Sequence, residues 1–167
     1  DCTSRDIVND IIKKFNTKKV GHTGTLDPIA TGVMVVCIGR ATKLVNYLTS
    51  KEKEYEAKVE LGTLTDTLDC TGNILKEEII SLTDKEIEEA ILKMKGKYEQ
   101  EVPIYSAIRV NGKKLYEYAR LNEEVVLPKR EVEVKYICLS SEIERINNKI
   151  YFSFKCTVSK GTYIRSL

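Results

Sequence analysis

Tryptophan is absent from this chain of 167 residues, proline occurs three times and histidine once. With a single imidazole, His22, and no nucleophile signature around any Cys or Ser, a Ser–His or Cys–His hydrolase is not supported. Five cysteines, Cys2, Cys37, Cys70, Cys138 and Cys156, stand at wide, irregular spacing without a C-x-x-C pair. That pattern favours reduced thiols and speaks against a structural zinc site. The longest apolar run, Val33 to Ile38, is far short of the ~20 residues that cross a bilayer. No charged-then-apolar leader opens the chain, so no membrane partner is expected and the cytoplasm is the expected location. The G-x-x-x-x-G-K-[ST] and G-x-G-x-x-G spacings are missing, which removes the usual nucleotide-phosphate cradles. Repeats, low-complexity tracts and linkers are missing as well, so residues 1–167 read as a single domain long enough to bury a core.

What is present is a soluble-protein composition, 42% hydrophobic and 31% charged, with charge unevenly placed. From Asp1 to Lys51 eight bases face four acids, a local +4, whereas Lys76 to Glu101 holds five lysines against eight acids, a local −3. The basic part contains Gly21-His22-Thr23-Gly24-Thr25-Leu26-Asp27-Pro28-Ile29-Ala30-Thr31-Gly32, which gathers three of the nine glycines, one of the prolines and the histidine. Such a stretch cannot sit in a helix at acceptable cost and must be a shaped loop. Its position beside Lys18 and Lys19 suits a polyanionic ligand. From the loop alone, an ordinary Asp-Pro turn and a site that presents Asp27 are equally compatible.

Ser4 is a plausible N-cap for an amphipathic helix over Ser4–Phe15, where Ile7, Val8, Ile11, Ile12 and Phe15 recur at helical spacing. The run from Gly32 to Gly39 reads as a buried strand, Ala41–Leu48 as a short helix and Glu54–Leu61 as a half-buried strand with Tyr55 facing inward. Gly62 to Gly72 is a second polar loop, too rich in Thr and Asp for a strand; its Asp66 and Asp69 lack the further ligands a metal ion wants. Thr83–Lys95 is the clearest helix, with a Thr83-x-x-Glu86 capping box. Asn111-Gly112 signals a hairpin, with helical spacing following over Lys113–Leu121. Arg130–Leu139 and Lys149–Val158 predict a long antiparallel pair around Asn147-Asn148, and Thr162 is placed to cap a helix that has barely begun. These elements predict an α+β fold with a mixed, largely antiparallel sheet flanked by helices and loops.

On chemistry, paired carboxylates built from Asp27 with Asp66 or Asp69 stay open, since spacing does not show them adjacent. A single loop carboxylate in a basic setting with several tyrosines suits covalent or acid–base work on a nucleic-acid base.

The Gly21–Gly32 motif resembles the active-site motif of the TruB-type pseudouridine synthases, which isomerise uridine 55 in the T-arm of tRNA. Ala41-Thr42-Lys43, Lys53-Glu54-Tyr55, Pro103-x-Tyr105-Ser106-Ala107 with Gly112-x-x-Leu115-Tyr116-x-x-Ala119-Arg120, and Lys160-Gly161-Thr162-Tyr163-Ile164-Arg165 are similar to further family motifs, in the family's order. The resemblance implies a pseudouridine-synthase-like catalytic domain and an isomerase, with Asp27 attacking the nucleoside or promoting glycosidic cleavage so that uracil rejoins through C5. It assigns Tyr55 to stacking on uracil and Arg165 to pairing with the aspartate, whose ionised form a buried site would otherwise disfavour. His22, with Thr23 and Gly24, would hold the flipped-out RNA, Tyr163 would line the pocket, and Asp66 would stand near the site. Lys18, Lys19, Lys43 and Lys160 become candidate phosphate contacts.

The implied partner is the T-arm stem-loop of tRNA, with no obligate protein partner, no metal and no organic cofactor. The family's initial apolar strand and Lys-Pro-x-Gly-x-Thr-Ser segment are not found before Thr3, and its C-terminal portion is not found after Leu167. The chain therefore reads as a fragment lacking both ends, expected to be weakly active or inactive by itself. A non-catalytic RNA-binding or RNA-folding module, and a guide-dependent synthase of ribosomal RNA, are the alternatives.

Overall fold

The computed structural model describes residues 2–49 and 52–167; Asp1 and Lys51, both counted in the charge balance above, lie outside them. Two compact units divide the chain, residues 1–51 and 52–167. Among the described residues no helix is long and apolar enough to cross a membrane.

In the first unit, helix α1 spans Ser4–Phe15 and ends at Asn16 in the left-handed region. Its N-cap is Thr3 rather than Ser4. The Thr3 hydroxyl accepts from the Asp6 N–H at 3.2 Å and the Asp6 carboxylate accepts from the Thr3 N–H at 2.8 Å. Ser4 has Ile7 three residues on and can build no such reciprocal pair. Strands β1 (Val20–His22) and β2 (Val36–Ile38) pair antiparallel, with His22 opposite Val36. The strand expected across Gly32–Gly39 is thus confined to its last part, because β1 offers only a short partner. Val33 is 92% exposed and Cys37 alone in the run is buried. Where one helix was expected over Ala41–Leu48, a 3-10 segment, Gly39–Leu44, runs into a short α2, Val45–Thr49. The Thr42 hydroxyl donates to the Gly39 carbonyl at 2.8 Å, a local bond that suits the tighter turn.

The second unit begins with β3 (Lys53–Leu61), β4 (Thr63–Thr65) and β5 (Ile74–Glu77), followed by α3 (Asp84–Lys93) and β6 (Gly96–Glu101). Next come β7 (Arg109–Val110), β8 (Lys113–Lys114), α4 (Leu115–Leu121), β9 (Lys129–Leu139), β10 (Glu144–Ile146), β11 (Lys149–Val158) and a 3-10 turn at Ile164–Ser166. Strand β11 pairs with β3 on one side and with β9 and β10 on the other, and β6 lies outside β9; all these pairings are antiparallel. Along β11, Ile150, Phe152, Phe154, Cys156 and Val158 are buried against Val134 and Ile137 of β9 and against Ile87 and Ile91 of α3. The intervening positions of β3, Glu54, Glu56, Lys58 and Glu60, are exposed. A sheet covered on one face and wet on the other shows this alternation. The α+β, antiparallel architecture is the expected one, and Tyr55 lies inward as expected, opposite Cys156 and packed on the core.

Two further local expectations fail, and one strand had no counterpart among them. The Gly62–Gly72 stretch contains β4, whose threonines are β-branched and pair with β5. Strand β6 was not anticipated, since Tyr98 is its one large apolar residue and its ladder to β9 carries the pairing. Thr162 caps nothing: its hydroxyl donates back to the Ser159 carbonyl at 2.8 Å, and the 3-10 turn starts after Tyr163. The Asn111-Gly112 hairpin is formed, with φ of 50° and 82° at the two turn residues. Asn147 and Asn148, at 52° and 63°, turn β10 into β11 in the same way.

Gly62 joins β3 to β4 at φ 95°, and a Cβ there would lie 2.3 Å from the Glu78 carbonyl oxygen, which belongs to a backbone fixed by the Glu78 N–H to Gly62 carbonyl bond at 2.8 Å. Gly62→Ala is expected to destabilise the protein by about 1–3 kcal/mol. Urea denaturation checks this, and an unchanged midpoint would refute the close approach.

Candidate active-site loops

In the first unit, the Gly21–Gly32 loop leaves β1 and is fastened at successive points. The Thr23 side chain is buried and its N–H donates to the Val35 carbonyl at 3.1 Å. His22 Nδ1 lies 2.7 Å from the Gly24 carbonyl. A carbonyl only accepts, so Nδ1 is the donor of this bond. Buried Ser4 then grips both backbone groups of Leu26, its Oγ accepting from the N–H at 3.0 Å and donating to the carbonyl at 3.3 Å. One residue later Asp27 opens a β-turn, with the Ala30 N–H donating to its carbonyl at 2.9 Å and Pro28 at the position that suits its fixed φ. Asp27, half-buried, therefore leaves a backbone held on both sides. Lys18 and Lys19 are exposed just before β1, with the Lys19 carbonyl accepting from the Gly39 N–H at 2.7 Å, and Lys43 is exposed on the 3-10 segment.

The second unit holds Tyr55, Asp66, Lys160, Tyr163 and Arg165. The Arg165 side chain is 12% exposed. It donates from Nη1 to the Thr67 carbonyl at 2.9 Å and from Nη2 to the Tyr105 carbonyl at 3.0 Å. Its Nε stands 4.0 Å from Asp69 Oδ2. Asp69 accepts from the Thr67 hydroxyl at 2.8 Å and from the Thr71 N–H and hydroxyl at 2.9 and 2.5 Å. Burial pushes the Asp69 carboxyl up, but the Thr71 and Thr67 hydrogen bonds and the Arg165 charge outweigh it and hold the group below the usual aspartate range. Asp66 instead closes the loop, accepting from the Asn73 N–H at 2.8 Å and from Asn73 Nδ2 at 3.0 Å. Tyr163 is held by its main chain, bonded in both directions to buried Gln100. Its ring has the Arg130 guanidinium 5.9 Å from its centroid. Lys160 is exposed, one residue before Gly161, where a Cβ would lie 2.9 Å from Arg130 Nη1.

Three residues thus enter that the sequence did not assign to this work. Ser4 stood as a helix cap, Asp69 only as a member of an acid pair, and Gln100 not at all. Thr at both second neighbours of Asp69 was the available signal for a self-bonded loop carboxylate. Nothing local announces a glutamine whose partner is 63 positions away. Among the described residues no three His, Cys, Asp or Glu side chains gather to hold a metal ion.

The same fold recurs in two solved structures. This chain is similar, at 27% identity and TM-score 0.62, to a chain in the structure of an H/ACA RNP bound to a substrate RNA containing 2′-deoxyuridine, covering 99% of this chain and 37% of that one. It is similar at 26% identity and TM-score 0.57 to a chain of the archaeal box H/ACA sRNP Nop10–Cbf5 complex, with the same coverage. The family model for the TruB family pseudouridylate synthase N-terminal domain matches residues 13–164, and the chain belongs to that family. Relatives include tRNA pseudouridine synthase B of Bacillus licheniformis, 50% identical, and of Bacillus subtilis, 48% identical, each over 99% of this chain. The chain spans 54% of their length.

Asp69 supplies a test of the loop geometry. Its folded pKa lies below its unfolded value, so its contribution to stability is present above the ordinary aspartate range and is lost as pH falls through the lowered value. Asp69→Asn is expected to be less stable than the parent near pH 7, with the gap closing towards pH about 3. Denaturant midpoints at the two pH values measure it; a gap that stays constant would overturn the hydrogen-bonded carboxylate.

Proposed function

We propose that this protein isomerises uridine to pseudouridine at position 55 in the T-arm of tRNA, with residues 1–167 forming one catalytic domain. The observation that carries the reading is the match of the family model across residues 13–164, coupled to an Asp27 loop held at Ser4 and at the Pro28 turn. A reacting carboxylate must be presented at a defined point, and a backbone fastened one residue before it and across the following turn supplies that.

In this reading the target base is extruded from its stack at a cost of a few kcal/mol. Asp27 acts on the nucleoside, the N-glycosidic bond breaks, uracil rotates, the new bond forms between C1′ and C5, the C5 proton leaves and N1 takes up a proton. Tyr55 offers its face to the uracil ring, and Arg165 provides a guanidinium oriented by main-chain carbonyls. His22, Thr23 and Gly24 hold the flipped RNA, Tyr163 lines the pocket, and Asp66 keeps its loop shaped beside it. Lys18, Lys19, Lys43 and Lys160 meet phosphates. The reaction is redox-neutral and consumes only the substrate uridine.

The similarity to H/ACA assemblies raises a guide-dependent reaction as the second reading. The higher identity to relatives named tRNA pseudouridine synthase B favours the unguided one.

The deciding experiment incubates the whole protein, without guide RNA, with T-arm RNA tritiated at uracil C5. Tritium release is expected from the parent, and a fall of about 10²–10⁴-fold in Asp27→Asn. Binding without release supports a non-catalytic module instead, and release only with a guide supports the second reading. In the same RNA, log Kd is expected to rise with log salt by about 0.7–0.9 per phosphate contacted; salt-independent binding would refute the basic contact surface.

A further inference from the structure

Gln100 does for the C-terminal segment what a neighbouring strand would do. It lies near the end of β6, 3% exposed. Its Nε2 donates to the Tyr163 carbonyl at 3.0 Å while its Oε1 accepts from the Tyr163 N–H at 2.8 Å. One side chain thus completes both main-chain groups of a residue 63 positions away. At the segment's start Ser159 joins β9, its N–H donating to the Glu133 carbonyl at 2.9 Å and its Oγ accepting from the Glu133 N–H at 2.9 Å; beyond it the main-chain bonds are local, Thr162 N–H to the Ser159 carbonyl, Ser166 N–H to that of Tyr163 and Leu167 N–H to that of Ile164. The local bonds shape a turn without fixing where residues 160–167 sit on the sheet. Gln100 supplies a second attachment at Tyr163, four residues past Ser159, from a strand whose ladder to β9 is itself fixed by register. Arg165 follows two residues later, and its guanidinium reaches the Thr67 and Tyr105 carbonyls from the backbone so placed.

We propose that Gln100 is a positioning residue for the reaction, setting Tyr163 and Arg165 through the main chain of residue 163. The inference rests on the pseudouridine synthase reading for its catalytic consequence, and on the hydrogen bonds alone for its structural one.

The chemistry allows a sharp test. A carboxamide donates and accepts side by side without charge, and an aliphatic side chain does neither. A carboxylic acid imitates it only while protonated; once ionised, it sets two acceptors against the Tyr163 carbonyl and N–H. The titratable and charged groups around Gln100 are Tyr98 on its own strand, Arg130 opposite it on β9, Tyr163, and Cys156 of β11, which acts on Tyr98. Burial and the Cys156 thiol, partly offset by a hydrogen bond with Gln100, push the Tyr98 hydroxyl above its usual range, and burial pushes the Cys156 thiol up to about 11. Phenols and guanidiniums do not ordinarily titrate between pH about 5.5 and 8.5. A carboxyl placed at position 100 is pushed up by burial and by the opposed carbonyl, and pulled down by Arg130. New pH dependence in that window therefore reports the introduced group.

The experiment measures C5 tritium release by the whole protein as wild type, Gln100→Leu and Gln100→Glu, with thermal melts alongside. Gln100→Leu is expected to lose about 100-fold in kcat, the scale of a small misplacement of reacting groups, with KM for the RNA nearly unchanged. Gln100→Glu is expected to match Gln100→Leu at pH about 8.5 and to recover towards wild type at pH about 5.5. A Gln100→Glu to wild-type activity ratio that is flat with pH, or full activity in Gln100→Leu, would overturn the proposal. Loss of cooperative melting in both variants would overturn it too, assigning Gln100 to core stability. If wild type itself releases no tritium, the reading of function fails, and hydrogen exchange at the Tyr163 amide decides this inference separately. Protection in wild type and in acidic Gln100→Glu, lost in Gln100→Leu, supports the tether; equal protection in all three overturns it.

Discussion

The ladder through β11 is the constraint on which residues 52–167 depend. Its inward side chains, from Ile150 to Val158, are all buried, and each meets a partner in register on β3, from Leu61 opposite Ile150 to Tyr55 opposite Cys156. A slip of one residue would turn every one of them to the wet face. Register is therefore enforced along the whole strand, and whatever is attached to its neighbours inherits that precision. Tyr55 has its place because Cys156 has one. Arg165 stands seven residues beyond the strand's end and is joined to the sheet again through Gln100 of β6 and Tyr163.

The loops follow a second rule, in which polar side chains close on backbone, in some cases beside a side-chain partner. Ser4 closes on Leu26, Asp66 on Asn73, Asp69 on Thr71 and Gln100 on Tyr163. Each such bond satisfies a main-chain group that would otherwise need water or a strand partner, and fixes the conformation of a segment with little apolar surface to bury. The residues proposed to meet the RNA, His22, Asp27 and Arg165, thus stand on segments that other side chains, Ser4 and Gln100, also fasten.

How much of this was legible follows from the range of each interaction. Helix α1 could be read from apolar spacing and α3 from spacing with its Thr83 capping box, because helical bonds and caps span three or four positions. The strands β3, β9 and β11 showed their alternation for the same reason, and the Asn111-Gly112 turn carried its own geometry. The Gly21–Gly32 stretch announced a shaped loop through its glycines and proline. What could not be read depends on partners far along the chain. Strand β6, with hardly an apolar side chain, exists because β9 pairs with it, and Val33 to Val35 fail to become strand because β1 is too short to receive them. Ser4 looked like a cap because its bond to Leu26 crosses 22 positions. Gln100 is the extreme case, a polar residue in a polar segment whose meaning lies entirely in the residue it holds.

The electrostatics of Arg165 turn on the kind of acceptor around it. Main-chain carbonyls such as those of Thr67 and Tyr105 orient a guanidinium without neutralising it, whereas a carboxylate at close range would do both. Asp69, the carboxylate nearest in the loop, has its oxygens engaged by Thr67 and Thr71 and stands 4.0 Å from Nε. Those hydrogen bonds stabilise its ionised form independently of the arginine, so the aspartate's charge does not have to be drawn in against Nε to survive burial. The Thr67 and Tyr105 carbonyls thus help to direct the guanidinium, while Thr67 and Thr71 fix the carboxylate of Asp69. A side chain directed by main-chain carbonyls and a loop carboxylate directed by threonines need little rearrangement, and that is the property a preorganised site requires.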